Sequence, residues 1–304
     1  MNRPSLLAIA ILAAIALPLG LTDFWTFIAI EVLVFALYAV SFNLLLGYGG
    51  MLSFGHAAFF GVGGYTVAIL VKHGGLPLAV AFPAALAMSA ITAAIIGFFS
   101  VRRIGIYFAM LTFAFQMLLY TVALKATGLT GGDDGITGLK AAGALSKPIY
   151  YYWFALIIVI VALALMHRIV HSPFGMTLQA LRGNPRRVEY VGINVRTHQL
   201  ATFVLAGTIA GLAGAIFAIS SGNVFPGWLN WTASATPIVM AVLGGFRTFI
   251  GPMVGAAVYV MLEVVISGHT EYWPLIMGVI IVVLVLMMPE GIMGMTRRIR
   301  DGKR

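Results

Sequence analysis

Residues 27–46 read FIAIEVLVFALYAVSFNLLL, and residues 47–61 continue GYGGMLSFGHAAFFG. The first stretch carries one charge, Glu31, and its apolar side chains run continuously instead of alternating. A helix rises about 1.5 Å per residue, so about 20 such residues cross the hydrocarbon layer of a bilayer. Lipid offers no partner to a backbone N–H or C=O, so a crossing segment of this kind is helical, whereas a barrel strand would alternate apolar and polar positions. The second stretch interrupts the helix at Gly47, Gly49 and Gly50, then resumes an apolar run at Phe54.

The same reading extends over the whole chain. Of its 304 residues 61% are apolar and only 9% charged, with mean hydropathy +1.03, against about 25% charge in a soluble domain. That balance excludes a water-soluble enzyme and a disordered chain, and the absence of cysteine excludes a disulfide-stapled module and thiolate sites. Ten apolar runs are expected to span: Ser5 to Leu21, Phe27 to Leu46, Phe54 to Val71, Pro77 to Ser100, Gly105 to Ala123, Ile149 to Met166, Leu200 to Ser220, Thr236 to Phe246, Gly251 to Ser267 and Trp273 to Met288. The first lacks a small-x-small cleavage site and reads as a retained helix. Thr236 to Phe246 is short and interrupted by Gly244-Gly245, so it also reads as half of a re-entrant hairpin. The fold class is therefore all-α, a polytopic helical membrane protein of about 8–10 spans in one domain, residues 1–304. Gly49-Gly50-Met51-Leu52-Ser53-Phe54 is echoed weakly by Gly244-Gly245-Phe246-Arg247-Thr248-Phe249, in the sense of a parallel repeat.

The net charge of +9 is distributed by side. Threading from a cytoplasmic N-terminus puts Arg3, Arg102, Arg103, Arg168, Arg182, Arg186, Arg187, Arg196, Arg247, Arg297, Arg298, Arg300, Lys303 and Arg304 inside. Only Lys72, Lys125, Lys140 and Lys147 fall outside. Positive residues gather on the cytoplasmic side of membrane proteins, so both termini are expected there. Basic residues clustered between apolar runs point to orientation in a bilayer, not to nucleic acid.

The longest polar stretch inside runs from His167 to Gln199, with a loop at residues 171–196 longer than a simple connection requires. Met176, Leu178 and Leu181, with Gln179 and Arg182 between them, read as a short amphipathic helix that Gly183 ends and Pro185 prevents from continuing. Val188, Val191, Ile193 and Val195 add apolar surface among Arg186, Arg187, Glu189 and Arg196. Residue pattern alone leaves two occupants open, anionic headgroups or a separate motor subunit.

Taken together, several motifs resemble the LivM-type permease subunits of branched-chain amino acid ABC transporters. They are Asn43 to Gly61, Gly105-Ile106-Tyr107-Phe108-Ala109-Met110-Leu111-Thr112, Thr130-Gly131-Gly132-Asp133-Asp134-Gly135, Ser172-Pro173-Phe174-Gly175, Gly192-Ile193-Asn194, Gly207 with Gly211 and Gly214, and Val242-Leu243-Gly244-Gly245. The resemblance covers almost the whole chain. It implies a multi-pass subunit of a bacterial inner membrane that pairs with a sister permease, receives amino acid from a periplasmic binding protein and is driven by two ATP-binding subunits. It also implies that the loop is the coupling helix, with Gly175, Leu178, Ala180, Leu181, Arg182, Gly183, Asn184, Glu189 and Gly192 meeting the ATPase. No phosphate-loop pattern occurs in this chain, so no cofactor is expected in it, and ATP and Mg are expected on the partners.

Polar residues within the apolar runs are the pathway candidates. Asn43, Ser53 and His56 flank the break at Gly47, Gly49 and Gly50, where irregular backbone requires burial in protein or a watery cavity. A helix beginning near Ser53 would present N–H donors to a carboxylate; the competing reading is close glycine packing around a core histidine. Tyr107, Thr112 and Gln116 lie on one later span, the last two on one face. Glu31 and Glu263 each cost several kcal/mol at the centre of a bilayer, commonly about 2.5–3.5, and with His56 they would be the coupling groups of an ion-driven secondary transporter. A urea or short-amide ABC permease is the other alternative. Thr130 to Gly135 reads as a structured external loop, and Trp228, Trp231, Tyr272 and Trp273 as an outer aromatic belt.

Overall fold

The computed structural model describes residues 17–141, 143–288 and 290–294. The run Ser5 to Leu21 lies mostly outside them, as do Arg3 and the basic residues from Arg297 to Arg304. Helices α1 (Asp23–Asn43), α2 (His56–Lys72), α3 (Leu78–Ser100), α4 (Ile106–Lys125) and α5 (Pro148–Val170) precede two short helices, α6 (Pro173–Gly183) and α7 (Pro185–Tyr190). Then follow α8 (Val195–Ser221), α9 (Trp231–Gly244), α10 (Gly251–Ser267) and α11 (Trp273–Met287). The only sheet among the described residues pairs β1 (Ile136–Thr137) with β2 (Asn223–Val224), antiparallel, Ile136 opposite Val224. The chain is an all-α, multi-pass membrane protein: six described helices are long and apolar enough to cross a bilayer, and α2, α9 and α10 are shorter apolar helices.

Helix boundaries follow local chemistry. Pro148, Pro173 and Pro185 each open a helix, where the missing N–H removes no bond. The side-chain oxygen of Asn184 accepts from Arg187 N–H and that of Asn194 from Thr197 N–H, capping α7 and α8. Gly222, at φ +71°, ends α8 in the left-handed conformation.

Charged residues gather at two separate places. Arg103, after α3, and Arg182, in α6, line one cavity. At the opposite pole Asp23, Lys140, Pro148 and Gly222 line another, and Lys72 Nζ donates to Thr137 O at 2.8 Å.

The core is organised around α8, which packs against α1, α2 and α3. In lipid the packing of small residues replaces the hydrophobic effect between helices. A Cβ at Gly63 would stand 2.0 Å from Gly211 O, and one at Gly214 1.9 Å from Phe60 O, so α2 and α8 cross with their backbones touching. Phe203 fills the space beside Phe59 and Phe108, edge to face, at 5.3 and 5.8 Å. A second glycine contact, Gly244 with Gly251 and Gly255, joins α9 to α10.

The echo between the two glycine pairs has a counterpart in the backbone. Gly50 and Gly245 both take positive φ, +67° and +103°. Each is followed six positions later by the first residue of a 17-residue helix, His56 of α2 and Gly251 of α10.

Candidate functional site

The first break begins directly after α1, where Leu44–Tyr48 continue as a π-helical turn, a conformation frequent at functional sites. Gly47 is required there, because a Cβ would lie 2.2 Å from Asn43 Oδ1 and 2.3 Å from Phe246 O. Asn43 Nδ2 donates to Thr248 O at 3.1 Å. The two glycine breaks, about 200 residues apart in sequence, are thus packed together.

Beyond Gly50 the non-helical segment Met51–Gly55 alternates. Met51, Ser53 and Gly55 are buried, while Leu52 and Phe54 are 37% and 38% exposed. Ser53 Oγ accepts the N–H of Gly55 at 3.2 Å. Helix α2 starts at His56, three residues past Ser53, and Gly55 lies against the carbonyl of Thr112. Thr112 is the seventh residue of α4, so α2 begins beside a point roughly 9 Å along α4 from its first residue.

A buried polar chain holds this start in place. Ala57 N–H donates to Ser234 Oγ (2.9 Å), Ser234 Oγ donates to Gln116 Oε1 (2.6 Å), and Gln116 Nε2 donates to Leu229 O (3.1 Å). It links α2, α4, α9 and the segment before α9. The N–H of Ala58 is taken by Gly55 O, so the donors expected at this helix start are partly used within the chain. His56 is boxed by Tyr38, Phe42 and Phe59. Its Nε2 lies 2.9 Å from Ser41 Oγ, whose single proton goes to Tyr38 O at 2.7 Å, so Nε2 carries the hydrogen and donates. Thr112 Oγ1 donates to Ala109 O of its own helix. Asn43, Ser53, His56, Thr112 and Gln116 are therefore packed inside the chain, and Tyr107, 72% exposed, faces outward. Ser234, Ser41 and Leu229 escaped the sequence reading, since a lone serine in an apolar run carries no distinguishing signal and a backbone carbonyl carries none at all.

The polar loop forms the second part of the site. Leu178 and Leu181 of α6 are buried, and Gly175 lets the helix turn back against Val170 O, 2.0 Å from where a Cβ would stand. Met176, expected on the same apolar face, is instead 61% exposed. With Ala180, Gly183, Asn184, Arg187 and Val191 it lines an open groove of about 740 Å³. Glu189 accepts the N–H of Gly192, at φ +87°, in the turn after α7. On the other side of α6, the Nη1 of Arg182 donates to Gly47 O and its guanidinium lies 5.7 Å from the centre of the Phe246 ring. Between this arginine, the first break and the α3–α4 turn lies a cavity of about 550 Å³.

Outer features separate by role. Gly131, Gly132 and Gly135 all take positive φ, and Gly135 sits against Val224 O of β2, so the loop bearing Asp133 and Asp134 is structured. Trp228 departs from the belt reading: its ring packs on Phe217 and Phe60, at 4.9 and 5.6 Å, and covers Gly64. The packing of α1 on α10 brings Glu31 and Glu263 within electrostatic reach of each other, a proximity that spacing along one helix does not reveal.

Comparison with known proteins agrees with this architecture. The chain is 27% identical to the high-affinity branched-chain amino acid transport system permease protein LivM of Escherichia coli strain K12, over 97% of this chain and 76% of that one. It is 26% identical to LivH of the same organism over 47% and 46% of the two chains. It is also 26% identical to the fructose import permease protein FruG of Bifidobacterium longum, over 44% and 41%. No solved structure matches it. The family described as "Branched-chain amino acid transport system / permease component" matches residues 24–286, nearly the entire membrane body built around α8 and both glycine breaks, and the chain belongs to that family.

Proposed function

We propose that this permease subunit works beside a sister permease in a bacterial inner membrane. It imports branched-chain amino acids delivered by a periplasmic binding protein, driven by ATP hydrolysis with Mg in two separate subunits. The observation that carries the reading is the likeness to LivM over 97% of the chain; the FruG likeness extends over less than half of it.

Two surfaces divide the work. The groove of α6 and α7, within residues 171–196, receives the ATPase: Gly175, Leu178 and Leu181 anchor α6 to the membrane body, while Ala180, Gly183 and Asn184 lie along the groove. Glu189 and Gly192 shape the turn beside it. Arg182 faces the opposite way, toward Gly47.

The pathway runs along the exposed strip of the Leu52 and Phe54 side chains beside Gly49 and Gly50, where the partner permease closes the other wall, and Tyr107, exposed near the start of α4, is a further candidate for it. Apolar side chains there suit an aliphatic cargo, and non-helical backbone supplies polar groups for its charged ends. Asn43, Gly47, Ser53, His56, Thr112 and Gln116 stand behind that strip and fix its backbone.

The decisive experiment is uptake of leucine, isoleucine and valine into liposomes holding this chain with its sister permease, ATPase and binding protein. Uptake is expected to require the ATPase and to stop with vanadate. Uptake by this chain alone, driven by a proton or sodium gradient, would overturn the reading in favour of Glu31, Glu263 and His56 as coupling groups.

The pathway assignment has its own test, which the absence of cysteine makes clean. In the assembled transporter, Leu52→Cys and Phe54→Cys are expected to react with a small water-soluble thiol reagent, more slowly when substrate is present. Ser53→Cys is expected to stay unmodified. Labelling of Ser53→Cys with Leu52→Cys and Phe54→Cys inert would place the pathway on the opposite side of this segment.

A further inference from the structure

The coupling helix makes more than a socket contact. Arg182 of α6 reaches both glycine breaks: its Nη1 donates to Gly47 O in the π-helical turn, and its guanidinium lies 5.7 Å from the centre of the Phe246 ring in the second break. Its stem rests on Gly50, where a Cβ would stand 3.0 Å from Arg182 Cγ. The two breaks are themselves joined, by Asn43 Nδ2 to Thr248 O and by the close approach of Gly47 to Phe246 O. In this turn the carbonyls of Leu44, Leu45 and Leu46 accept the N–H groups of Gly49, Met51 and Gly50, while that of Gly47 takes the arginine. An arginine suits this position because its planar fork can bond a carbonyl and stack on a ring at once.

We propose that Arg182 is the positioning residue through which movement of the α6–α7 loop is transmitted to both glycine breaks together. The inference rests on the reading of that loop as the ATPase contact. When the ATPase shifts α6, the guanidinium carries Gly47 and Phe246 with it, and the segment Met51–Gly55, which starts at the first break, moves against the inner cavity. Asn43 keeps the two breaks in step.

The test uses the complete transporter in liposomes, with the wild type measured alongside. Two quantities are read: substrate imported per ATP hydrolysed, and the difference in Leu52→Cys labelling between the ATP-bound and nucleotide-free states. Arg182→Met keeps the apolar stem against Gly50 and removes the donor and the charge. It is expected to lower import per ATP about tenfold, the scale of one lost charged hydrogen bond, and to erase the nucleotide-dependent difference in labelling while ATP hydrolysis continues. Arg182→Lys, which keeps a donor, is expected to restore part of both. Phe246→Leu leaves α6 untouched and is expected to lower the ratio about threefold, the scale of one cation–π contact. A wild-type ratio and wild-type labelling difference in Arg182→Met would overturn the proposal. If that variant does not assemble, an unchanged ratio in Phe246→Leu overturns it and a lowered ratio supports it. Wild-type uptake that ignores ATP would instead defeat the importer reading, so the two failures are distinguishable.

Discussion

Replacing Gly63 by leucine is expected to leave no folded protein in the membrane. The position faces Gly211 on α8, and even the first carbon of a side chain would stand 2.0 Å from a backbone oxygen. Backbone cannot rotate aside as a side chain can, so α2 and α8 have to separate along their whole crossing. That separation also unseats Gly214 from Phe60 and Gly207 from Phe59. Overpacking a well-filled core commonly costs about 1–3 kcal/mol, occasionally more, and here several contacts fail together. Gly63→Ala is expected to fold but to melt at a lower temperature. Gly278→Ala is the control, since nothing lies within 4 Å of a Cβ there. Size-exclusion profiles and melting curves in detergent check the series; a Gly63→Ala melting temperature equal to that of Gly278→Ala would show that the α2–α8 crossing is looser than described.

The second large effect is expected at Gly183, the last residue of α6. Proline there loses its N–H, its ring crowds the carbonyl four residues earlier, and the combined penalty inside a helix is about 3 kcal/mol. It also drives the preceding residue out of the right-handed helical region, and that residue is Arg182. The groove would lose its floor, and the guanidinium its approach to Gly47. Membrane insertion is expected to stay normal because α5 and α8 are unchanged, while uptake falls by at least about tenfold, as when a charged hydrogen bond is lost. Uptake and ATP hydrolysis by the reconstituted complex check this, with membrane levels as the reference. Wild-type uptake in Gly183→Pro would mean that the end of α6 bears no force.

Much of the fold was legible because a bilayer imposes one rule on every residue inside it. Nine of the ten expected runs coincide with α1 to α5 and α8 to α11. The α6 helix was readable from Gly183 and Pro185, which act on their own backbone. The site was less legible. Asn43 and Gly47 looked like a polar residue and a flexible one near a break, but their partners, Thr248 and Phe246, lie about 200 positions away. Gln116 was visible and Ser234 was not, because only packing distinguishes one serine from another in an apolar run. Met176 misled for a related reason: apolar character at helical spacing suggests burial, yet this side chain lines a surface groove. Trp228 likewise fitted a belt by composition, and its place against Gly64 depends on how the segment before α9 packs, which no local pattern encodes.

Helix α8 runs 27 residues without interruption, from Val195, just past its cap Asn194 near the groove of α6 and α7, to Ser221, just before Gly222 and the strand pair. At about 1.5 Å per residue that is a strut of roughly 40 Å. A strut neither stretches nor shortens under load, so a push delivered at its lower tip arrives at its upper tip as tilt. The β1–β2 staple ties that upper tip to the loop carrying Asp133 and Asp134, so a tilting α8 would carry that loop along with it.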